Sequence, residues 1–149
     1  MSLLTSQGLR AGVAALAVAG ALVAASGCGG SSSSADTAKT NACNAKADID
    51  VQVKKLKGLP PSLSSVDTAK TALQQIQKDL GTIHDSVPDV TGDLKGQLKA
   101  ANSAFGSQVN QITQEITSAQ SLTDAAATLT TAGQHLAAQY QQAFAGVKC

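Results

Sequence analysis

The chain has 149 residues, with 11 Lys and Arg against 10 Asp and Glu, one tyrosine, two phenylalanines and no tryptophan. Near-neutral charge with no basic cluster argues against a nucleic-acid partner, which needs cations to displace phosphate counterions, and it provides no polybasic patch for anionic lipid. So few aromatic rings almost exclude stacking platforms for bases or sugars.

At the N-terminus, Arg10 is the only arginine, and the stretch "AGVAALAVAGALVAA" from Ala11 to Ala25 is an uninterrupted apolar run. Its 15 residues suit the hydrophobic region of an export signal and fall short of the ~20 that a membrane-spanning helix needs. Ser26 and Gly27 follow, and then Cys28. Small residues leading into a cysteine resemble the lipobox of bacterial lipoproteins, although Ala25 stands where leucine is usual. The resemblance covers about the first thirty residues. It implies that Cys28 is acylated and becomes the first residue once residues 1–27 are removed, so that the acyl chain is the contact with the membrane. The same residues also suit an ordinary secretory signal cut after "ASG", which would give a soluble secreted protein. Removing residues 1–27 with Arg10 leaves 10 lysines against 10 acids, a formally neutral chain.

Gly29–Ser34 is glycine and serine only. Such a run buries too little apolar area to fold, so residues 28–39 are expected to be the lipidated cysteine and a flexible tether, with the folded part spanning 40–149. If Cys28 carries lipid, Cys43 and Cys149 remain of the three cysteines. An oxidising compartment lets them pair, and their positions at the two edges of the foldable segment favour an intramolecular bridge over free thiols or an intermolecular one. In an up-down bundle the start of the first helix and the end of the last share one end only if the helix count is even.

The apolar pattern gives four helices. Ala45, Ile49, Val53 and Leu56 mark one face of the first, from Thr40 to Lys57, and "KKLKGLPP" should stop it, with Gly58 as a left-handed cap before Pro60 and Pro61. Ser64 and Asp67 form a capping box for the second helix, whose seam Val66, Ala69, Leu73, Ile76, Leu80, Ile83 and Val87 alternates spacings of three and four as in a coiled coil. Pro88 ends it, with Asp85, Asp89 and Thr91 in the connection. The third helix is predicted from about Thr91 to Ala119, with Leu94, Leu98, Ala101, Phe105, Val109, Ile112, Ile116 and Ala119 inward. A second capping box, Ser121 with Asp124, places a break near Gln120, although "TSAQSL" contains neither glycine nor proline. The fourth helix carries Leu122, Ala126, Leu129, Gly133, Leu136, Tyr140, Ala143 and Val147 to Cys149. No segment alternates as a strand does. The fold class is all-α, an antiparallel up-down four-helix bundle. Many inward positions are alanine or glycine, so the core is thin and a covalent staple at its open end makes physical sense.

Candidate chemistry is sparse. His84 and His135 lack partners at metal-ligand spacing, and Glu115 is the only glutamate, so the Glu-x-x-His signature of bundle metal sites is absent. Asp48 and Asp50 are two residues apart and point to different helix faces. "GCGG" is not a phosphate loop, and no Gly-x-Ser-x-Gly elbow occurs. Neither a metal nor another cofactor is expected, and no catalytic residue is assigned. Glutamine and threonine crowd the last two helices, in "SQVNQITQEITSAQ" and "TLTTAGQHLAAQYQQAF". Such a face is either plain solvated surface or one that meets a protein partner through hydrogen bonds. The layout resembles small exported helical lipoproteins of actinobacteria, a likeness that implies no activity. The reading is thus a non-catalytic envelope protein anchored to the outer face of the membrane and acting on an unidentified protein partner. The alternatives are a carrier of a lipid or other apolar ligand and, more remotely, an enzyme.

Overall fold

A computed structural model describes residues Ser33–Cys149. The expected export signal, Cys28 and the first part of the expected tether lie outside the described residues. Four helices follow one another: α1 Ser34–Lys57, α2 Leu63–Ser86, α3 Asp93–Thr117 and α4 Leu122–Phe144. No strand occurs among the described residues, and the helices pack α1 on α2, α2 on α3, α3 on α4 and α4 back on α1, with α2 also meeting α4. The all-α four-helix bundle is the fold. No helix among the described residues is long and apolar enough to cross a membrane.

The expected tether is too long by half. Helix α1 begins at Ser34, six positions before Thr40, because Ser33 caps it: its Oγ accepts from the Asp36 amide at 3.2 Å and donates to the Asp36 carboxylate at 3.0 Å. The last serines of "SSSSAD" are therefore a helix start, satisfying an amide that the first turn leaves free. Ala38 and Ala42 extend the buried face of α1 back through these added turns. The residues that fold run from 34 rather than 40.

The helix boundaries hold three further corrections. Gly58 is not left-handed; its φ of −89° is ordinary helical backbone, and its amide bonds back to Lys54 and Lys55 in a tightened last turn. Leu59 and Pro60 each precede a proline and are kept out of the helical region. Ser62 is then extended at φ −135°, and α2 starts straight after it at Leu63. Ser64 therefore lies inside the first turn and caps nothing. Instead the Ser62 hydroxyl meets those of Ser64 and Ser65, at 3.2 and 2.7 Å. Asp85 belongs to α2 rather than to the connection.

The other break falls at Ser118–Ser121, as the capping box at Ser121 indicates: its Oγ accepts from the Asp124 amide at 3.1 Å. Thr117 Oγ1 donates to the Thr113 carbonyl and Ser118 Oγ to the Gln114 carbonyl, at 2.8 and 2.6 Å, and the Ser118 amide shares the Gln114 carbonyl at the helix end. Gly92, the residue before α3, has a φ of +67°, a conformation that favours glycine.

The inward stripes form one core, with Phe105, Ile49, Ile76, Ile83, Leu98 and Leu136 wholly enclosed. Val87, Leu94, Ala119 and Ala143 are only partly buried. Leu122 is the exception to the expected stripe, being 57% exposed at the start of α4, while Phe144, one turn beyond Tyr140, is buried. The interior is filled: the void enclosed by Leu56, Leu73, Ile116, Leu129 and Leu136 measures ≈ 10 Å³, about the least that could hold one water.

Candidate functional site

The chemistry-bearing side chains that the fold does bring together sit where α1 meets the C-terminal residues. Cys43, in the third turn of α1, is disulfide-bonded to Cys149, with Cα atoms 5.7 Å apart. The even helix count returns the chain to that end, and residues 145–149 leave α4 to cross over to α1. Val147 is buried on the way. Its amide bonds to the Phe144 carbonyl at 3.1 Å, and its own carbonyl accepts from Lys46 Nζ at 3.2 Å.

Lys46 is held at both ends, since its backbone carbonyl accepts from the Tyr140 hydroxyl at 3.0 Å. Tyr140 in turn belongs to an aromatic triad. Phe105 stands edge-on to Tyr140 and to Phe144, with ring centroids 5.5 and 5.8 Å away, and Tyr140 and Phe144 lie 5.0 Å apart. Edge-to-face contacts of this kind contribute beyond the area they bury. All the aromatic residues of the protein thus lie in one cluster beside its one disulfide. Burial, with a smaller contribution from the nearby Asp50 carboxylate, pushes the Tyr140 phenol up to about 12. Asp50 itself pairs with Lys54 one turn on.

An open groove of ≈ 510 Å³ runs along this junction, lined by Cys43, Lys46, Asp50, Tyr140, Gln141 and Phe144. Its sulfurs are bonded to each other, and its phenol is a donor already engaged by a carbonyl. What the arrangement can do chemically is hold: it is a clasp of one covalent bond, two hydrogen bonds and a packed valine. No protein-family model matches the chain, and no curated protein or solved structure does.

The remaining polar residues singled out by sequence are scattered. His135 and Glu115 line a second groove of ≈ 430 Å³ between α3 and α4, floored by Ile112, Ala127 and Ala132. His84 lies in a shallower one between α2 and α3, with Gln77, Asn102 and Asn110. The two histidines are exposed and on different grooves. Asp85 and Asp89 face Thr37 and Asn41 beside the start of α1. No group of three or more metal-ligating side chains is assembled among the described residues. The polar stretches of α3 are partly used internally: Gln77 on α2 reaches Asn110 on α3 at 3.3 Å.

Sequence reasoning passed over Asp79, which is only 6% exposed. Its signal was the spacing: Ser65, Ala72, Asp79 and Ser86 recur every seven residues, a second buried stripe on α2 beside the apolar one.

Proposed function

We propose that this protein is a non-catalytic, lipid-anchored helical bundle of the bacterial cell envelope, moored through an acyl chain on Cys28 to the outer face of the membrane and acting through contacts with another envelope protein. The observation that carries the reading is the Cys43–Cys149 disulfide, a bond that persists in oxidising compartments and is rare in the cytosol. It accounts for two of the three cysteines and leaves Cys28, at the end of the export signal, for acylation. A short glycine-serine run before Ser33 is enough to hold a rigid body off the lipid surface.

Contact with a protein, rather than carriage of a ligand, is favoured by the packed interior. A carrier of a lipid needs an enclosed cavity on the order of 300 Å³ or more, against the ≈ 10 Å³ void of this core. Two experiments test the proposal. Labelled palmitate should enter the wild-type protein in its host and not Cys28→Ser; label absent from both rejects the anchor. Crosslinking on intact cells should recover a protein partner, whereas a co-purifying lipid in stoichiometric amount would favour the carrier.

A further inference from the structure

Asp79 is the only buried acidic or basic side chain among the described residues. The stripe it shares with Ser65, Ala72 and Ser86 lies on the side of α2 turned toward α1: Ser86 borders Ala38 and Asn41 of α1, and Asp79 feels the charge of Asp48 on α1. Ala38, Ala42 and Ala45 on the buried face of α1 are small, which lets a neighbouring helix come close. The other three members of the stripe are small and neutral. The acid is the odd one out.

Its bonding is half complete. Gln75 Nε2 donates to Oδ1 at 2.9 Å, while Oδ2 is buried with no hydrogen-bond partner among the described residues. An ionised carboxylate offers about four acceptor sites, and burying one with an oxygen unsatisfied is costly, whereas the protonated form carries no charge to desolvate. Asp79 shares the α1–α2 seam with Asp48, so its shielding depends on α1 and α2 staying together. The charged groups that act on it are Asp48 across the seam and Lys78 beside it on α2; none on α3 or α4 does among the described residues. Burial raises its affinity for a proton above the ordinary aspartate value of 3.8, the Gln75 bond works the other way, Asp48 raises it further and Lys78 offsets part.

We propose that Asp79 makes the α1–α2 seam a proton-dependent latch, tight while the carboxyl is protonated and loosened once it ionises. The sign follows from linkage. A group that binds its proton more firmly in the folded chain contributes stability that is complete below the unfolded value and is lost as pH rises through the folded one. The seam therefore tightens as pH falls through the raised folded value and loosens above it, the reverse of the usual acid response of a salt-bridged carboxylate.

Thermal unfolding of the purified protein and of Asp79→Asn across pH tests this, and the difference between the two curves isolates the contribution of Asp79. At about pH 7.5 the Asn variant is expected to melt about 3 °C or more above wild type, with the gap narrowing as pH falls toward the ordinary aspartate value of 3.8. A gap that does not change with pH, or a variant less stable than wild type at neutral pH, overturns the proposal. Amide exchange on the wild-type protein gives an independent readout. After correction for intrinsic rates, protection at Ala42, Ala45 and Ile49 of α1 should rise about threefold or more as pH falls from neutral toward about pH 4, relative to α3 amides such as Val109. Equal changes in both helices, or none, would also overturn it.

Discussion

Gly133 of α4 lies directly against the end of α1: a Cβ built there would stand 2.7 Å from the Leu56 carbonyl oxygen and 3.1 Å from the Lys57 Cα. Both neighbours are backbone, so neither can swing aside. The glycine is what lets α4 cross α1 at that distance, and the crossing sets the angle at which the rest of α4 carries Tyr140, Phe144 and the C-terminal residues onto the first half of α1.

Gly133→Ala should therefore destabilise the bundle by about 1–3 kcal/mol, even though alanine is the better helix former. Gly81→Ala is the control, because a Cβ on that mid-α2 glycine meets nothing within 4 Å. That change should stabilise by about 0.5–1 kcal/mol. Urea unfolding of the two variants beside wild type reads both, and the same sign for the two would mean that the crossing is not tight.

Replacing both Cys43 and Cys149 with serine removes a bond that spans 106 residues of sequence. On the loop-entropy account this costs on the order of 4–5 kcal/mol, a large part of the 5–15 kcal/mol by which domains are typically stable. The melting temperature should fall by many degrees. The same drop should follow when the wild type is melted in a thiol reductant, and an unmoved transition would mean that the bridge is absent or idle.

Phe105 is wholly enclosed and touches both other rings of the triad. Phe105→Ala is expected to cost about 3–5 kcal/mol, because few large side chains elsewhere in this alanine-rich core can close over the cavity. Loss of cooperative unfolding in circular dichroism would mark the extreme case. Phe105→Leu, which keeps most of the volume, should retain a sharp transition.

Tyr140 is the only tyrosine, so ultraviolet absorbance follows its ionisation without interference. The phenol should stay protonated through pH 10 and ionise near pH 12 in the folded protein, returning to about 10 in denaturant. Because the folded chain holds the proton more firmly, the stability Tyr140 contributes is complete below pH 10 and drains away as pH rises from 10 to about 12. A native titration centred at 10 would mean that the hydroxyl is open to water.

Capping offers a finer check. Ser121→Ala removes the acceptor that holds the Asp124 amide and should cost about 1 kcal/mol. Ser64→Ala, the expected cap that lies inside α2, should cost only a few tenths. Equal losses at the two sites would contradict the boundaries drawn here.

Local chemistry along the chain determined most of the fold. Apolar residues at spacings of three and four can be buried together only on a helix, so Ala45–Leu56, Val66–Ile83, Leu98–Ile116 and Leu129–Tyr140 were legible as inward stripes without any coordinates. The pairing of Cys43 with Cys149 followed from their places at the two edges of the foldable segment, and an even helix count agrees with it. The motif Ser33-x-x-Asp36 was equally legible, being the same pattern as Ser121-x-x-Asp124, but its serine-rich setting disguised a helix start as a tether. What the tertiary structure alone decided depends on which helices meet and how closely. Spacing cannot distinguish a glycine that is merely tolerated, such as Gly81, from Gly133, whose missing Cβ is space occupied by another helix's backbone. It cannot reveal that Asp79 loses its water, because that is done by α1, thirty residues away in sequence. Nor does it gather Phe105, Tyr140 and Phe144 beside the disulfide. Periodicity reports which side of a helix is turned inward; only the partner that arrives there fixes how close it comes and which polar atoms it strands.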